Sequence, residues 1–347
     1  MENKQKPSDA KTISLNTIWT IVGVTASVVV VLLLCWKAIN VFLFILAGAI
    51  MSIYFHGFAG LIGRTTKMTA KWSLVASVLI TIAFLFGISF LIGSRVANEA
   101  MQFSKQVPDL VADAKKYIQQ NETLKSVYQQ IQSSEMLQKA TPMLSGFFNS
   151  TLGFFGDIYV VLFIGVFFTA TPDVYKKGMV KLLPARARDE GRRIINLIAG
   201  NLRSWLKGML FSMFVVFILT SIGLLSLGID LWLILALIAG LLSFIPNFGP
   251  VISLIPAALV ALSQSPITAL WVILLYGLVQ LIESNFITPL VQQELIKTPP
   301  ALIIISQVFA GIWLGAWGVI LATPILVIVM VATEELYIRK QDIKEHH

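Results

Sequence analysis

A carboxylate stands where an apolar run tolerates few charges. Glu283 lies in Tyr276-Gly277-Leu278-Val279-Gln280-Leu281-Ile282-Glu283-Ser284-Asn285-Phe286-Ile287-Thr288-Pro289. Gln280, Glu283 or Ser284, and Thr288 recur at three- to four-residue intervals, so on a helix they share a face. A carboxylate inside a bilayer is costly unless it is solvated, paired or protonated. Such a group suits the exchange of a proton or a cation at a fixed place. The expectation is that Glu283 is this site, with Gln280, Asn285 and Thr288 as its shell. The plainer reading puts Glu283 at headgroup level or in a structural hydrogen bond between helices.

The second candidate is a break, Phe244-Ile245-Pro246-Asn247-Phe248-Gly249-Pro250. Two prolines and a glycine free backbone groups there, and at membrane depth those groups need protein or water partners. Asn247 adds a donor and an acceptor. Pro246, Asn247, Gly249 and Pro250 are therefore expected to line a path for a polar solute; a simple kink is the plainer reading. Gln264, Gln307 and Trp313 are further candidates for the same cavity.

Other polar residues carry less. Arg95, Asp157 and Asp230 fall near the ends of apolar runs, where charges mostly anchor or cap helices. His56 stands alone, without metal-ligand spacing around it, and His346 and His347 end the sequence. No G-x-x-x-x-G-K-[ST] loop, H-E-x-x-H, C-x-x-C or G-x-S-x-G occurs, so no nucleotidase, zinc peptidase, dithiol or serine-hydrolase signature is present. Neither an enzyme nor a cofactor is expected. The single cysteine, Cys35, can form no intrachain disulfide.

The elements that must hold these residues follow from composition. Of 347 residues, 56% are hydrophobic and 13% charged, about half the charge of an ordinary soluble domain. Most of this surface needs lipid as its solvent. The net charge of +8 clusters in loops, which reads as a topology signal and not as a nucleic-acid footprint. The fold class expected is an all-α polytopic membrane protein with about eight transmembrane segments and a small extramembrane helical insert. A cytoplasmic tail covers residues 1–16, and the apolar run after it reads as a retained first span without a cleavage site. Segments 1–3 fall in 17–94, the insert in 95–150 and segment 4 in 151–170. A basic cytoplasmic stretch covers 171–207, segments 5–8 cover 208–335, and a second cytoplasmic tail covers 336–347.

Two stretches are too long for one straight span. Leu231 to Leu262, as a helix, would measure about 48 Å against ~30 Å of hydrocarbon. Ala301 to Thr333 is similar and is interrupted by Gly311, Gly315, Gly318 and Pro324. Each is either a tilted, kinked span or a re-entrant hairpin, and Gly/Pro-broken segments in matching positions point to a transport site. In the insert, Val96, Ala100, Phe103, Val107, Leu110, Ala114 and Tyr117 alternate by four and three, an a/d stripe for packing on a partner helix or another subunit. In the basic stretch, Ile194, Ile195, Leu197, Ile198, Leu202 and Trp205 make one apolar face, expected to lie along a membrane surface. The Lys/Arg-rich tail and loops fall on one side when both termini are cytoplasmic.

Phe244-Ile245-Pro246-Asn247-Phe248-Gly249-Pro250, Val279-Gln280-Leu281-Ile282-Glu283, Asn285, Thr288-Pro289-Leu290 and a Gly-rich last segment ending in Ala322-Thr323-Pro324 together resemble the autoinducer-2 exporter (AI-2E) family. The resemblance runs from about residue 17 to 338, with Asn247 where that family more often has an aromatic residue. It implies a bacterial inner-membrane permease without bound nucleotide. Members export the quorum-sensing signal autoinducer-2 or exchange sodium for protons, and the resemblance further implies homo-oligomers. The leading expectation is a secondary transporter of a small polar solute, linked to protons or another monovalent cation. Its alternatives are a sodium/proton antiporter and a non-transporting membrane scaffold that binds partners through the insert.

Overall fold

Long runs of apolar residues form helices because each backbone group must find its partner within the segment once water is excluded. The computed structural model describes residues 15–120, 151–287 and 299–339, with residues 289 and 341. Every regular element among them is helical. They are α1 Leu15–Lys37, α2 Ile39–Thr66, α3 Ala70–Gln120, α4 Thr151–Ala170, α5 Pro172–Lys181, α6 Arg188–Ser226, α7 Trp232–Leu242, α8 Phe248–Gln264, α9 Pro266–Ile282 and α10 Pro300–Thr333. Single π-helical turns, Glu283–Ile287 and Glu334–Ile338, extend α9 and α10.

The chain divides into two compact units, Met1–Leu43 and Phe44–His347. In the first, α1 exposes Val24, Val28 and Leu33. By length and composition, four helical runs of the described residues can cross a membrane: Ile39–Thr66, Ala185–Ser226, Pro266–Ile287 and Pro300–Ile338. Gly156–Ala170 and Pro172–Lys181, bent by 87° to each other, meet the same length and composition only when taken together. The sequence count of about eight also includes α1, the start of α3 and the broken stretches, which by this measure are shorter apolar helices or parts of longer ones.

The first overlong stretch is a hairpin. α7 and α8 have 11 and 17 residues, about 16 and 25 Å, so neither crosses ~30 Å alone. Gln264 Nε2, at the end of α8, donates to the carbonyl of Gly228 before α7 at 3.4 Å, so the far end returns to the start. At the tip, Asn247 has φ 67°. A Cβ on Gly249 would sit 1.9 Å from the Leu242 carbonyl oxygen, so only glycine allows this closure.

The second stretch also folds back. Gly315 has φ 67° and ψ −153° in the middle of α10. A Cβ on Gly318 would lie 2.3 Å from the Ala310 carbonyl oxygen, and one on Gly311 would lie 2.9 Å from Val319. Residues eight apart in a straight helix are about 12 Å apart. Residues 300–314 and 316–333 are therefore two limbs meeting at Gly315.

Two expectations change. Arg188–Ser226 is one helix of 39 residues, so the basic stretch and the fifth span are continuous. Most of its apolar face turns inward: Ile194 and Trp205 are buried, Leu202 packs with Ile198 against Val327 and Val331 of α10, and Leu197 is exposed. Likewise α3 continues past Pro108 to Gln120 as a single helix of 51 residues. Of its a/d stripe, Val96 and Phe103 pack into the core formed by α6–α9. The protein's own hairpin covers them, in place of a second insert helix or another subunit. The rest of the insert, 121–150, lies outside the described residues.

That core centres on Leu224, Leu235, Ala257, Ala261 and Val272, all fully buried. Small residues let the helices approach closely. A Cβ on Gly240 of α7 would meet Phe217 of α6 at 2.8 Å, and one on Gly48 of α2 would meet Ile164 of α4 at 2.4 Å.

Candidate ion-coupling cavity

Four helices converge on Glu283. A small cavity is lined by Val216 and Thr220 of α6, Ala239 of α7, Pro250 and Ser253 of α8, and Tyr276, Val279 and Gln280 of α9, with Glu283 itself. Its unfilled centre leaves room for about one water molecule. Glu283 opens the π-helical turn Glu283–Ile287, a wider turn that often marks functional positions. Its Oε1 accepts a hydrogen bond of 2.6 Å from Ser212 Oγ of α6.

The other polar atoms of the wall are unmatched. Thr220 Oγ1, Tyr276 OH and Gln280 Oε1 are buried and have no hydrogen-bond partner within the protein. A buried polar atom left unpaired costs about 1–3 kcal/mol, so three around one void call for an occupant. Ser253 is satisfied, donating to the Pro250 carbonyl at 3.0 Å. Oxygen atoms supply the polar lining, together with one carboxylate. Such a set takes a proton, a water or a monovalent cation, and it offers a bulky apolar ligand no space.

Of the residues expected from sequence, Glu283, Gln280 and Pro250 meet at this cavity. Asn285 does not reach it. It is exposed, and its Nδ2 donates to the Leu281 carbonyl at 2.9 Å and to Ser284 at 3.3 Å. Two residues beyond Glu283 is nearly the opposite side of a helix. Thr288 lies outside the described residues. Gly249 is buried at the hairpin tip, and Asn247 is exposed there. The Pro246 carbonyl accepts from Gln307 Nε2 at 2.9 Å. The tip thus meets α10, and only Pro250 faces the void.

Gln307 is 1% exposed, and its Oε1 has no partner. It joins the two folded-back stretches and lies apart from the cavity, as do Gln264 and the exposed Trp313, which stacks near Phe309. Asp157 accepts from Trp317 Nε1 at 2.8 Å, two residues beyond the Gly315 bend. His56 Nδ1 bonds the Ser52 carbonyl at 2.9 Å, one turn back on its own helix, and Asp230 is exposed.

Arg95 has a partner that the sequence reading passed over. Its Nε pairs with Glu99 at 3.0 Å, and its guanidinium sits 5.1 Å over the Trp232 ring. Glu99 is 7% exposed, and its other oxygen accepts from the Ile234 amide at 2.9 Å. Leu231, at the N-cap of α7, has no side chain to cap it, so a carboxylate from α3 does that work.

Ser212, Thr220 and Tyr276 were also missing from the expected shell. Ser212 and Thr220 flank Val216 at four-residue steps along α6. That polar stripe in an otherwise apolar span is the signal that could have found them.

Three relatives bear on identity. "Putative transport protein YueF" of Bacillus subtilis (strain 168) is 31% identical over 192 residues, 55% of this chain and 52% of that protein. "Putative permease PerM" of Escherichia coli (strain K12) is 30% identical over 176 residues, half of each. In both cases the chain spans about half the length of the relative it matches. A protein of Alkalihalophilus pseudofirmus, also named as a "Putative transport protein", is 20% identical over 94% of this chain and 89% of its own. Residues 25–338 match the sequence model described as AI-2E family transporter, and with its apolar, multi-pass helical architecture the chain belongs to that family of membrane transporters.

Proposed function

We propose that this transporter is a secondary one, in which a proton or monovalent cation binding at Glu283 drives the passage of a small polar solute such as autoinducer-2. The observation that carries the reading is the group of buried, unpartnered oxygens of Thr220, Tyr276 and Gln280 around one void beside the Glu283 carboxylate. An occupant of that void exchanges its hydration for these oxygens, and Ser212 holds the carboxylate in place. With room for about one water, the void suits the coupling ion, and the solute takes a wider path. That path opens where the two folded-back stretches meet, at the Gln307–Pro246 bond, as the hairpins move apart. The cycle runs in the inner membrane with both termini cytoplasmic, in a homo-oligomer.

The same small void favours a second reading, a sodium/proton antiporter with no organic solute. Proteoliposomes carrying an internal pH dye test both. The coupled reading predicts a pH change when the solute is added, and the antiport reading predicts one on sodium addition alone. In either case Glu283→Gln abolishes the change. A pH response that survives Glu283→Gln unchanged contradicts both.

A further inference from the structure

The Glu283 cavity leaves unused the helix that follows the fourth span. α4 has 20 residues, about 30 Å as a helix and so close to the thickness of the hydrocarbon, and α5 leaves it at 87°. With α4 crossing, α5 lies in the plane of the membrane. It cannot lie in the hydrocarbon, because Asp173, Lys176, Lys177 and Lys181 fall within its ten residues and each charge costs about 2.5–3.5 kcal/mol at the centre of a span.

One side of α5 packs inward through Val180, which is buried. The opposite side is apolar and largely uncovered, with Tyr175 packed on Phe168 of α4 at 4.3 Å between ring centroids. Tyr175, Met179 and Leu182 follow at steps of four and three, with exposures of 39%, 56% and 87%. Lys176, Lys177 and Lys181 are also exposed. Their long stems let the ammonium groups rise to phosphate level while the apolar side chains sink below it.

The geometry points to α5 as an interfacial binding site for anionic phospholipid headgroups, with Lys176, Lys177 and Lys181 as the phosphate contacts. The charge complements the negative surface of a cytoplasmic leaflet, and the Lys/Arg-rich loops fall on that side. The occupant is lipid and not free phosphate, because the apolar stripe beside the lysines has no use for a soluble anion. The site also replaces the surface helix expected at 194–205, where Leu202 and Ile198 pack against α10 and Trp205 against Phe244.

The test uses the full chain with Cys35→Ser and Leu182→Cys, labelled with bimane at the introduced thiol and reconstituted in phosphatidylcholine vesicles. Nitroxide-labelled phosphatidylglycerol or phosphatidylcholine is added as quencher. Quenching by both lipids is expected, with phosphatidylglycerol the stronger by roughly fivefold for each contributing lysine. Excess inorganic phosphate leaves that preference in place. Lys176→Gln, Lys177→Gln and Lys181→Gln together bring the ratio to about one, and the three Lys→Arg changes retain it. Absence of quenching overturns the interfacial placement. Equal quenching by the two lipids, a preference that survives the Lys→Gln changes, or one that free phosphate abolishes overturns the anionic-lipid site.

Discussion

At the scale of single residues, the account depends on oxygens without partners. Thr220→Val keeps the shape and removes a hydroxyl that bonds nothing in the protein. Replacing an unsatisfied polar group by an apolar one of the same shape is nearly neutral or stabilising. Thr220→Val is therefore expected to unfold at the same or a slightly higher temperature by scanning fluorimetry while its ion affinity falls. A lower unfolding temperature with full affinity would show that the hydroxyl is structural. Ser212→Ala removes the 2.6 Å hydrogen bond to Glu283. A bond to a charged group contributes about 1.5–3 kcal/mol, so the pH or cation concentration for half-maximal transport should shift by about tenfold or more. Glu283 and Gln280 were legible because a charge and an amide stand out in an apolar run. Ser212, Thr220 and Tyr276 were less so, since a hydroxyl costs little in a span and the polar stripe of α6 gains its meaning only where Ser212 meets Glu283. Asn285 misled because its polarity was read without its angle.

At the scale of elements, proline and glycine told where the chain breaks but not how. A kinked span and a hairpin use the same residues. The choice was made by close approaches, Gly249 to Leu242 and Gly318 to Ala310, which involve pairs the sequence cannot show. Gly249→Ala puts a methyl group 1.9 Å from a backbone oxygen, with no flexible side chain to yield. It should cost more than the ~1–3 kcal/mol of ordinary overpacking, seen as a marked fall in unfolding temperature and yield. Gly228→Ala, where a Cβ meets nothing within 4 Å, should cost less, because only its φ of +69° is at stake. The α7 cap gives a milder effect. Glu99→Ala leaves the Ile234 amide and Arg95 without their carboxylate, a loss of about 1–2 kcal/mol, and comparing the unfolding temperature with that of Glu99→Gln separates the charge from the hydrogen bond. The basic stretch carries one apolar face in its sequence. That face could equally meet lipid or protein, and α10 took part of it.

At the scale of the molecule, the membrane class was visible in composition alone, since so little charge cannot cover a soluble surface. The long helices α3 and α6 were less visible, because each joins an apolar span to a polar extension and a hydropathy reading cuts them in two. The α7–α8 hairpin is part of the α6–α9 core that contains the cavity, and it is linked to the folded-back α10 through Pro246 and Gln307. On the proposed path, a solute larger than water passes only when that link opens. With Cys35→Ser, a disulfide formed between Asn247→Cys and Gln307→Cys is expected to stop solute flux in proteoliposomes, and reduction to restore it. Undiminished flux with the cross-link complete would place the solute path elsewhere.

The most direct test of the central claim is the transient current that a proton or sodium jump evokes from proteoliposomes on a solid-supported membrane. On the proposed reading, charge moves when the ion enters the Glu283 cavity, whatever solute follows. Wild type should give a saturable current, Thr220→Val a current that saturates at a higher ion concentration, and Glu283→Gln none. Equal currents from wild type and Glu283→Gln, with both proteins folded and equally incorporated, would contradict the account.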